Sequence, residues 1–158
     1  MFYLQKLQSN IKLIKIMANI VKDIVFLQQP CAKIDSIAEA EDIADRLFKT
    51  LKEYRKGIGL AANQIGINKA VCVINVWRPL WFMNPKFIPL SEDKVQFQEG
   101  CLSFPNAAVN TERFKHIAVI ADNHEKQLMF GPWNMLECIC VQHEICHLNG
   151  ETMFDYKA

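Results

Sequence analysis

The chain contains 158 residues, of which 51% are hydrophobic and 22% are charged, a composition that indicates one globular domain with an apolar core. Its formal net charge of +1 argues against a broad electrostatic surface for nucleic acid. No stretch reaches the roughly 20 apolar residues that a bilayer-spanning helix needs. Six cysteines are present, but a chain of this size does not need disulfides, so a reducing compartment is expected.

The first 16 residues are expected to form an N-terminal extension of unassigned role, and residues 17–158 a single domain. The extension is apolar and basic without acidic residues. It lacks the arginines of a transit peptide and a clear cleavage site. Because Met17 begins a more usual start, residues 1–16 are interpreted as an extension or as the product of an upstream start codon.

Along the rest of the chain, hydrophobic periodicity predicts a helix, a series of short strands and a second helix. Ser36–Glu39 matches a capping box and apolar residues follow at helical spacing, so the first helix is predicted over 40–54. β-Branched runs and turn residues predict strands over 70–76, 80–83, 86–90, 95–97, 114–121 and 127–130, and a turn over 122–126. The second helix is predicted from about Asn134 to just before Gly150, followed by an extended piece over 152–154. This order indicates an α+β fold.

Small residues dominate the segment Gly57–Gly66, which follows the first predicted helix. Small side chains allow the backbone to approach a partner closely. A dinucleotide-binding fingerprint fits this segment badly, because no third glycine follows at the required spacing before a helix. We therefore expect a backbone that lies against a partner, and not a dinucleotide site.

The segment His143–His147 is an H-E-x-x-H motif on the second predicted helix. Residues four apart on a helix share a face, so both imidazoles can hold one metal ion. Glu144 between them can move protons for a water molecule at that ion. The motif alone is a moderate signal, since an amphipathic helix with two surface histidines has the same pattern.

A catalytic metal site usually has three protein ligands and one open position, so a third ligand must come from elsewhere. The candidates in the chain are His116, His124, Glu99, Cys101, Cys140 and Cys146. Cys146 is adjacent to His147 on the same helix, so its side chain points off the ligand face, and Cys140 is poorly placed to close the site. Cys101 lies in a glycine-containing turn with a carboxylate nearby. Spacing alone does not choose among these residues.

Three segments resemble the signature motifs of the peptide deformylase family, in the same order and at comparable separations. They are GIGLAANQ at 57–64, EGCLS at 99–103 and QHEICHL at 142–148. The Asn84-Pro85 turn and Pro105 also fit, and the resemblance covers roughly residues 20–156. It implies antiparallel β-sheets packed around a central C-terminal helix that carries H-E-x-x-H, with one N-terminal helix.

The resemblance also implies an activity, namely removal of the formyl group from the N-terminal formylmethionine of new polypeptides, with release of formate. Carried over by motif, Cys101, His143 and His147 would bind one divalent metal ion. Fe²⁺ is expected in the cell, with Zn²⁺, Ni²⁺ or Co²⁺ also accepted, because one thiolate and two imidazoles suit a borderline-soft ion.

The same resemblance assigns the catalytic groups. Glu144 would accept a proton from the attacking water and deliver it to the leaving amine. The side-chain amide of Gln64 and the backbone N–H of Leu102 would stabilise the oxyanion.

The peptide would bind as an added strand, through backbone groups that match Ile58, Gly59 and Gly100. A pocket for the methionine side chain would be lined by Phe97, Leu136, Ile139 and Cys140, with His143 as its wall. Leu136 and Ile139 would be core residues on this helix in many proteins, so their presence alone is weak evidence for the pocket.

Two residues depart from the family pattern. Cys146 stands where the family usually has aspartate, which would partner an arginine such as Arg113. Ala108 stands near a position where many bacterial members carry an arginine. The site is nevertheless expected to assemble, because the three ligands and Glu144 are present.

Two other functions fit parts of the sequence. A zinc endopeptidase would take its third ligand downstream, where the nearest acids are Glu151 and Asp155, and it would leave the segment Glu99–Ser103 without a role. A metal-retaining binding module on ribosomes or peptides would fit the two departures, but it would not need Glu144 or Gln64.

The expected partners are N-formylmethionyl peptides on nascent chains, with association with the ribosome left open. Neither nucleic-acid specificity nor a membrane is expected. The protein is expected to be a monomer in the cytoplasm, or in an organellar matrix or a host cytoplasm, depending on its source.

Overall fold

A computed structural model describes residues 19–158, so the predicted extension at residues 1–16 lies outside the described residues. The helices of this part are α1 (Ile24–Leu27), α2 (Ile37–Lys52) and α3 (Met135–Leu148). The strands are β1 (Gly59–Ala61), β2 (Val71–Asn75), β3 (Pro79–Met83), β4 (Lys86–Pro89), β5 (Lys94–Cys101), β6 (Phe104–Phe114), β7 (Ile117–Ile120) and β8 (Leu128–Phe130). Short 3₁₀ turns cover Ala62–Ile65, Pro132–Asn134 and Met153–Tyr156.

The strands form three small antiparallel sheets, with the orders β1-β2-β3, β4-β7-β8 and β5-β6. Helix α3 contacts strands of all three sheets. One apolar cluster joins α3 to β2, β7 and β8, and a second joins α2 to β1 and β2. The predicted α+β fold with antiparallel sheets around a central C-terminal helix is therefore confirmed.

Helix α2 forms because its sequence is amphipathic and its first turn is capped. The Ser36 hydroxyl accepts a hydrogen bond from the Glu39 backbone N–H at 3.2 Å, which satisfies one of the free donors at the helix start. Six of its sixteen residues are buried, among them Ile43, Leu47 and Leu51. The predicted helix over 40–54 is thus present, but it begins three residues earlier and ends at Lys52.

Helix α3 differs because it is buried on every side. All twelve residues from Glu137 to Leu148 are buried, so the helix has no solvent-facing polar stripe. Asn134 caps its first turn by accepting a hydrogen bond from the Glu137 N–H at 3.1 Å. Gly150 follows its end in the left-handed region at φ 76°, which glycine adopts without steric cost. The core position of α3 places its H-E-x-x-H motif inside the molecule.

The structure corrects three predicted elements. The apolar run 114–121 is not one strand, because the chain passes from β6 to another sheet at Lys115 and His116, whose backbone groups bond Asp93 and Leu90. The piece at 152–154 is not extended. The Thr152 side chain caps a 3₁₀ turn, and the Thr152 backbone N–H donates a hydrogen bond to the Asp155 carboxylate. The strand predicted over 95–97 is longer on both sides.

One helix and two strand segments were not predicted from the sequence: the four-residue helix α1, the short strand β1 and the first ten residues of β6. None of the helices within residues 19–158 combines the length and the apolar composition needed to cross a membrane.

Candidate active site

The two motif histidines meet at the centre of the molecule, one turn apart on α3. Their Nε2 atoms lie 3.1 Å apart, and both side chains are buried, His147 completely. Burial lowers the pKa of His147 well below its usual value, and the neighbouring His143 lowers it further. His147 is therefore a neutral imidazole, the form in which histidine binds a metal ion.

Cys101 completes a group of three converging side chains. The β5–β6 register shifts between Glu99 and Cys101, and such irregularities re-aim side chains beside active sites. The Cys101 Sγ atom lies 3.3 Å from His147 Nε2. The ligand atoms of Cys101, His143 and His147 lie within 4.8 Å of one another. Of the six candidate third ligands, Cys101 is therefore the one that the fold brings to both histidines.

The spacing of these atoms fits one metal ion. Two nitrogens bound to one tetrahedral ion at about 2.0–2.1 Å lie about 3.3 Å apart, and a nitrogen and a sulfur bound at about 2.3 Å lie about 3.6 Å apart. The corresponding separations here are 3.1 Å and 3.3 Å. Without an ion, these three polar atoms would face mainly one another in a buried region. The donor set and its spacing therefore suit a divalent ion such as Zn²⁺ or Fe²⁺.

The second ring nitrogen of His143 is held by Glu99. His143 Nδ1 lies 2.7 Å from Glu99 Oε1, and a carboxylate in this position fixes the tautomer and orientation of a metal-binding imidazole. Burial alone would raise the pKa of Glu99, but hydrogen bonds from His143 and Arg113 outweigh burial and lower it to about 2. Glu99 therefore stays ionised and directs His143 Nε2 toward Cys101.

Glu99 is itself held by residues of β6. Arg113 donates from Nε and Nη2 to the two carboxylate oxygens at 2.7 and 2.9 Å, and Thr111 donates its hydroxyl to Glu99 Oε2. Thr111 and Arg113 are two residues apart in β6, so their side chains lie on the same face of the strand. This role of Glu99 was not predicted from the sequence, although alternating polar residues inside a strand are a signal that could have indicated it.

Cys146, the departure from the family pattern, lies against the same arginine. Its Sγ atom is 3.4 Å from Arg113 Nη1, and the Arg113 guanidinium lies over the Tyr156 ring at 4.1 Å. Burial raises the pKa of the Cys146 thiol, and Arg113 only partly opposes this. Arg113 therefore faces one carboxylate and one neutral thiol, and Cys146 points away from the ligand face as predicted.

The side-chain carboxyl group of Glu144 is buried. Its Oε2 atom has no hydrogen-bond partner within residues 19–158, which is costly for a buried polar atom unless function requires it. Burial raises its pKa to about 7, with Glu99 adding to the effect and His143 and Arg113 opposing it. A carboxyl group with these properties can both take up and release a proton near neutral pH.

Gly59 explains why the segment before the site is rich in small residues. A Cβ atom at Gly59 would lie 2.6 Å from Glu144 Oε1 and 2.8 Å from Cys140 Sγ. A side chain at this position would displace Glu144 or Cys140, so glycine lets β1 pass close to the site without disturbing either residue. The expected close backbone approach is confirmed.

The Gln64 side chain is oriented toward the same centre. Its Oε1 accepts a hydrogen bond from the Ala61 N–H at 2.9 Å, so its Nε2 is left to donate. Nε2 lies 3.1 Å from Ser103 Oγ and 3.5 Å from Cys101 Sγ. The amide therefore presents N–H groups beside the candidate metal ligands.

A cleft of 380 Å³ opens onto these groups. The predicted substrate residues Ile58, Gly59, Phe97, Gly100, Leu136, Ile139 and Cys140 all line it, together with Gln64, Leu102, His143 and Glu144. Within the described sheets β1 pairs only with β2 and β5 only with β6. The cleft is thus lined by residues of two strands that each have one unpaired edge within the described sheets.

The other candidate ligands lie elsewhere. His116 packs edge-on against Trp133, with ring centroids 5.3 Å apart. His124 bonds the Trp81 carbonyl at 3.0 Å. Cys140 donates to the Ile58 carbonyl at 3.6 Å, so it forms part of the wall of the cleft.

A thiol, two imidazoles and an unpaired carboxyl group in a cleft define a site of the kind found in mononuclear metallohydrolases. The polypeptide deformylase family model matches residues 16–158. The chain therefore belongs to the peptide deformylase family.

Individual relatives agree with this assignment. A peptide deformylase from Saccharophagus degradans is 36% identical over 135 residues, which cover 82% of this chain and 76% of that protein. The crystal structure of peptide deformylase from Thermotoga maritima matches with a TM-score of 0.76 and 28% identity, covering 84% of this chain and 91% of that chain. A probable peptide deformylase from Synechococcus phage S-SSM7 matches with a TM-score of 0.73 and 34% identity, covering 83% and 93%.

Proposed function

We propose that Cys101, His143 and His147 hold one divalent metal ion in this peptide deformylase, and that Glu144 moves the protons of the reaction. The reaction removes the formyl group from the N-terminal formylmethionine of nascent polypeptides and releases formate. The observation that carries the proposal is the convergence of three ligand atoms beside a buried carboxyl oxygen that has no partner in the described structure.

When bound, the ion supplies Lewis-acid chemistry: it lowers the pKa of water and polarises the formyl carbonyl. The rest of the work falls to side chains. Glu144 accepts the proton of the attacking water on the oxygen that lacks a partner. It then delivers the proton to the leaving amine, and a pKa of about 7 suits both steps.

Gln64 and Leu102 are proposed to stabilise the negative charge that develops on the formyl oxygen. Gln64 contributes a side-chain N–H whose direction is fixed by the Ala61 bond to its Oε1. Leu102 contributes its backbone N–H at the rim of the cleft. Donors that are oriented before the reaction stabilise such a charge strongly, because they need no rearrangement during the step.

The formylated peptide is proposed to bind as an extra strand in the cleft, using backbone groups of Ile58, Gly59 and Gly100. Main-chain bonds of this kind give affinity without reading sequence, which suits an enzyme that accepts many nascent chains. The methionine side chain enters the apolar part of the cleft, which is lined by Phe97, Leu136, Ile139 and Cys140.

Fe²⁺ is proposed as the ion in the cell, and Zn²⁺, Ni²⁺ or Co²⁺ as functional substitutes. The donor set of one thiolate and two imidazoles supports this choice of borderline-soft ions. The protein is proposed to act as a monomer on nascent chains, with residues 17–158 as its single catalytic domain, in the cytoplasm or an equivalent compartment.

The experiment that tests the proposal uses protein prepared without oxygen and loaded with Fe²⁺ or Ni²⁺. Formate is measured after addition of formyl-Met-Ala-Ser, and the peptide products are identified by mass. We expect formate and intact Met-Ala-Ser. Cleavage of internal peptide bonds instead would indicate an endopeptidase, and peptide binding without any product would indicate a binding module.

A further inference from the structure

A second cavity of 390 Å³ adjoins the catalytic cleft. Leu102 and Pro105 line both spaces, so the two cavities are neighbours that share part of one wall. The remaining lining residues of the second cavity are Asn19, Ile20, Lys22 and Tyr54. None of these four residues has a role in the chemistry described above.

The edge of the cleft leads directly to this cavity. Gly59 lies against Glu144, so it marks the reacting end of a bound peptide. From Gly59 the edge continues through Ile58, whose carbonyl accepts the Asn75 N–H at 2.7 Å. Gly57 then bonds the Tyr54 carbonyl at 2.8 Å. A peptide that follows this edge away from the catalytic centre therefore approaches Lys56 and Tyr54.

The length of this path sets which substrate residues arrive there. A strand advances about 3.3 Å per residue, so an extended peptide covers the two residues from Gly59 to Gly57 in about 7 Å, where the chain enters the turn that contains Lys56. With the formylmethionine beside Gly59, the third to fifth residues of the substrate lie at the exit, next to the second cavity.

Two lysines lie among the lining residues at the exit. Lys56 lines the cleft, Lys22 lines the second cavity, and both are exposed. Neither lysine takes part in an ion pair within residues 19–158. The acidic residues that line the cleft, Glu99 and Glu144, are buried at its other end.

We propose that the second cavity extends the substrate site and favours an acidic side chain at the third to fifth position of the formylated peptide. Lys22 and Lys56 attract the carboxylate, while Ile20, Tyr54 and Leu102 supply an apolar floor for the stem of that side chain. This inference rests on the proposed function, because it names a preference of the same reaction.

The test uses metal-loaded enzyme and matched pentapeptide amides of the form formyl-Met-Ala-Ala-Ala-Ala. Aspartate, asparagine or lysine replaces alanine at position three, four or five in turn, and kcat and KM are measured for each. At the best position we expect aspartate to exceed asparagine about two- to fivefold in kcat/KM for each contributing lysine, through a lower KM. Lysine should be the poorest residue, and the differences should shrink in about 0.5 M salt.

Variants assign the effect. The double variant Lys22→Gln/Lys56→Gln should lose the ratio of aspartate to asparagine, whereas the control Lys126→Gln, an exposed lysine in the β7–β8 turn, should keep it. Equal kcat/KM for the three peptides at all positions would overturn the inference, as would an aspartate preference that survives in the double variant. If the neutral peptide releases no formate either, the proposed function fails as well, which is a distinguishable result.

Discussion

Helices α2 and α3 are of similar length but follow different rules. Six of the sixteen residues of α2 are buried on one face, and five of them are apolar. In α3 twelve of the fourteen residues are buried, including Glu137, Gln142, His143, Glu144 and His147. An amphipathic helix is what packing alone produces, whereas burying so many polar groups opposes stability unless each is bonded or functional.

The polar residues of α3 divide into two groups. Glu137 pairs with Arg78, and Gln142 bonds both backbone groups of Phe114. Glu144 Oε2 and His147 Nδ1 have no partner within residues 19–158. The comparison therefore predicts that substitutions around Glu144 and His147 change the rate of the reaction. Substitutions in α2 should change stability but not the rate.

The largest effect outside the helix itself is expected for Gln64→Met, which keeps the approximate size of the side chain but removes its N–H groups. Loss of one oxyanion donor lowers turnover by about 10²–10³-fold. Metal content should be unchanged, because Gln64 is not among the three converging ligands. Steady-state kinetics and metal analysis of the same sample check both statements, and normal turnover would remove Gln64 from the mechanism.

A smaller effect is expected for Glu99→Gln. The variant loses the charge that fixes His143 Nδ1, and loss of such a partner weakens metal affinity by about 10–100-fold. It also leaves Arg113 without its carboxylate, so the melting temperature should fall. Metal titration of the apoprotein gives the affinity. Unaltered affinity would mean that Glu99 supports the fold but does not orient the ligand.

Cys146→Asp should change metal affinity and turnover by less than about tenfold. Arg113 already donates two hydrogen bonds to Glu99, so a second carboxylate adds little to the position of His143. Cys146→Ser is the matched control, since it removes the thiol without adding charge. A gain in turnover well above tenfold in the aspartate variant alone would show that the cysteine impairs the site.

The smallest effect is expected at the start of α2. Ser36→Ala removes the hydroxyl that accepts the Glu39 N–H and caps α2. This should lower the free energy of unfolding by about 1 kcal/mol. Activity per folded molecule should not change, because Ser36 is not among the residues that line the cleft. Denaturant unfolding and formate release measured on the same preparation test this pair of outcomes. A large loss of activity would mean that α2 is coupled to the site.

The same contrast explains what could be predicted from the sequence. Helix α2 was predicted because Ser36, Ile43 and Leu47 carry local signals of capping and periodicity. The H-E-x-x-H motif is equally local, so the pair His143 and His147 was identified at once. Cys101 was identified as the third ligand by family resemblance. Its spacing in the sequence could not identify it, because its approach to the histidines depends on the register shift in β5.

Features that depend on contacts between distant segments were not predicted. The support of Glu99 by Arg113 requires the β5–β6 pairing, since the two residues are far apart in sequence. The end of β6 at Phe114 could not be predicted from the sequence, because only two polar residues separate Phe114 from the apolar residues of β7. The 3₁₀ turn after Thr152 was wrongly predicted as an extended piece, although Asp155, three residues after Thr152, completes a capping box with it.

We propose that Glu144, whose Oε2 atom has no hydrogen-bond partner within residues 19–158, moves protons beside a metal ion held by Cys101, His143 and His147. Glu144→Gln tests it most directly, because the amide keeps the size of the side chain but cannot carry the proton. Metal content and formate release from a formyl-Met peptide are measured together on the variant and the wild-type protein. We expect equal metal content and a loss of turnover of about 10²–10⁴-fold. Turnover within a few-fold of wild type at equal metal content would contradict it.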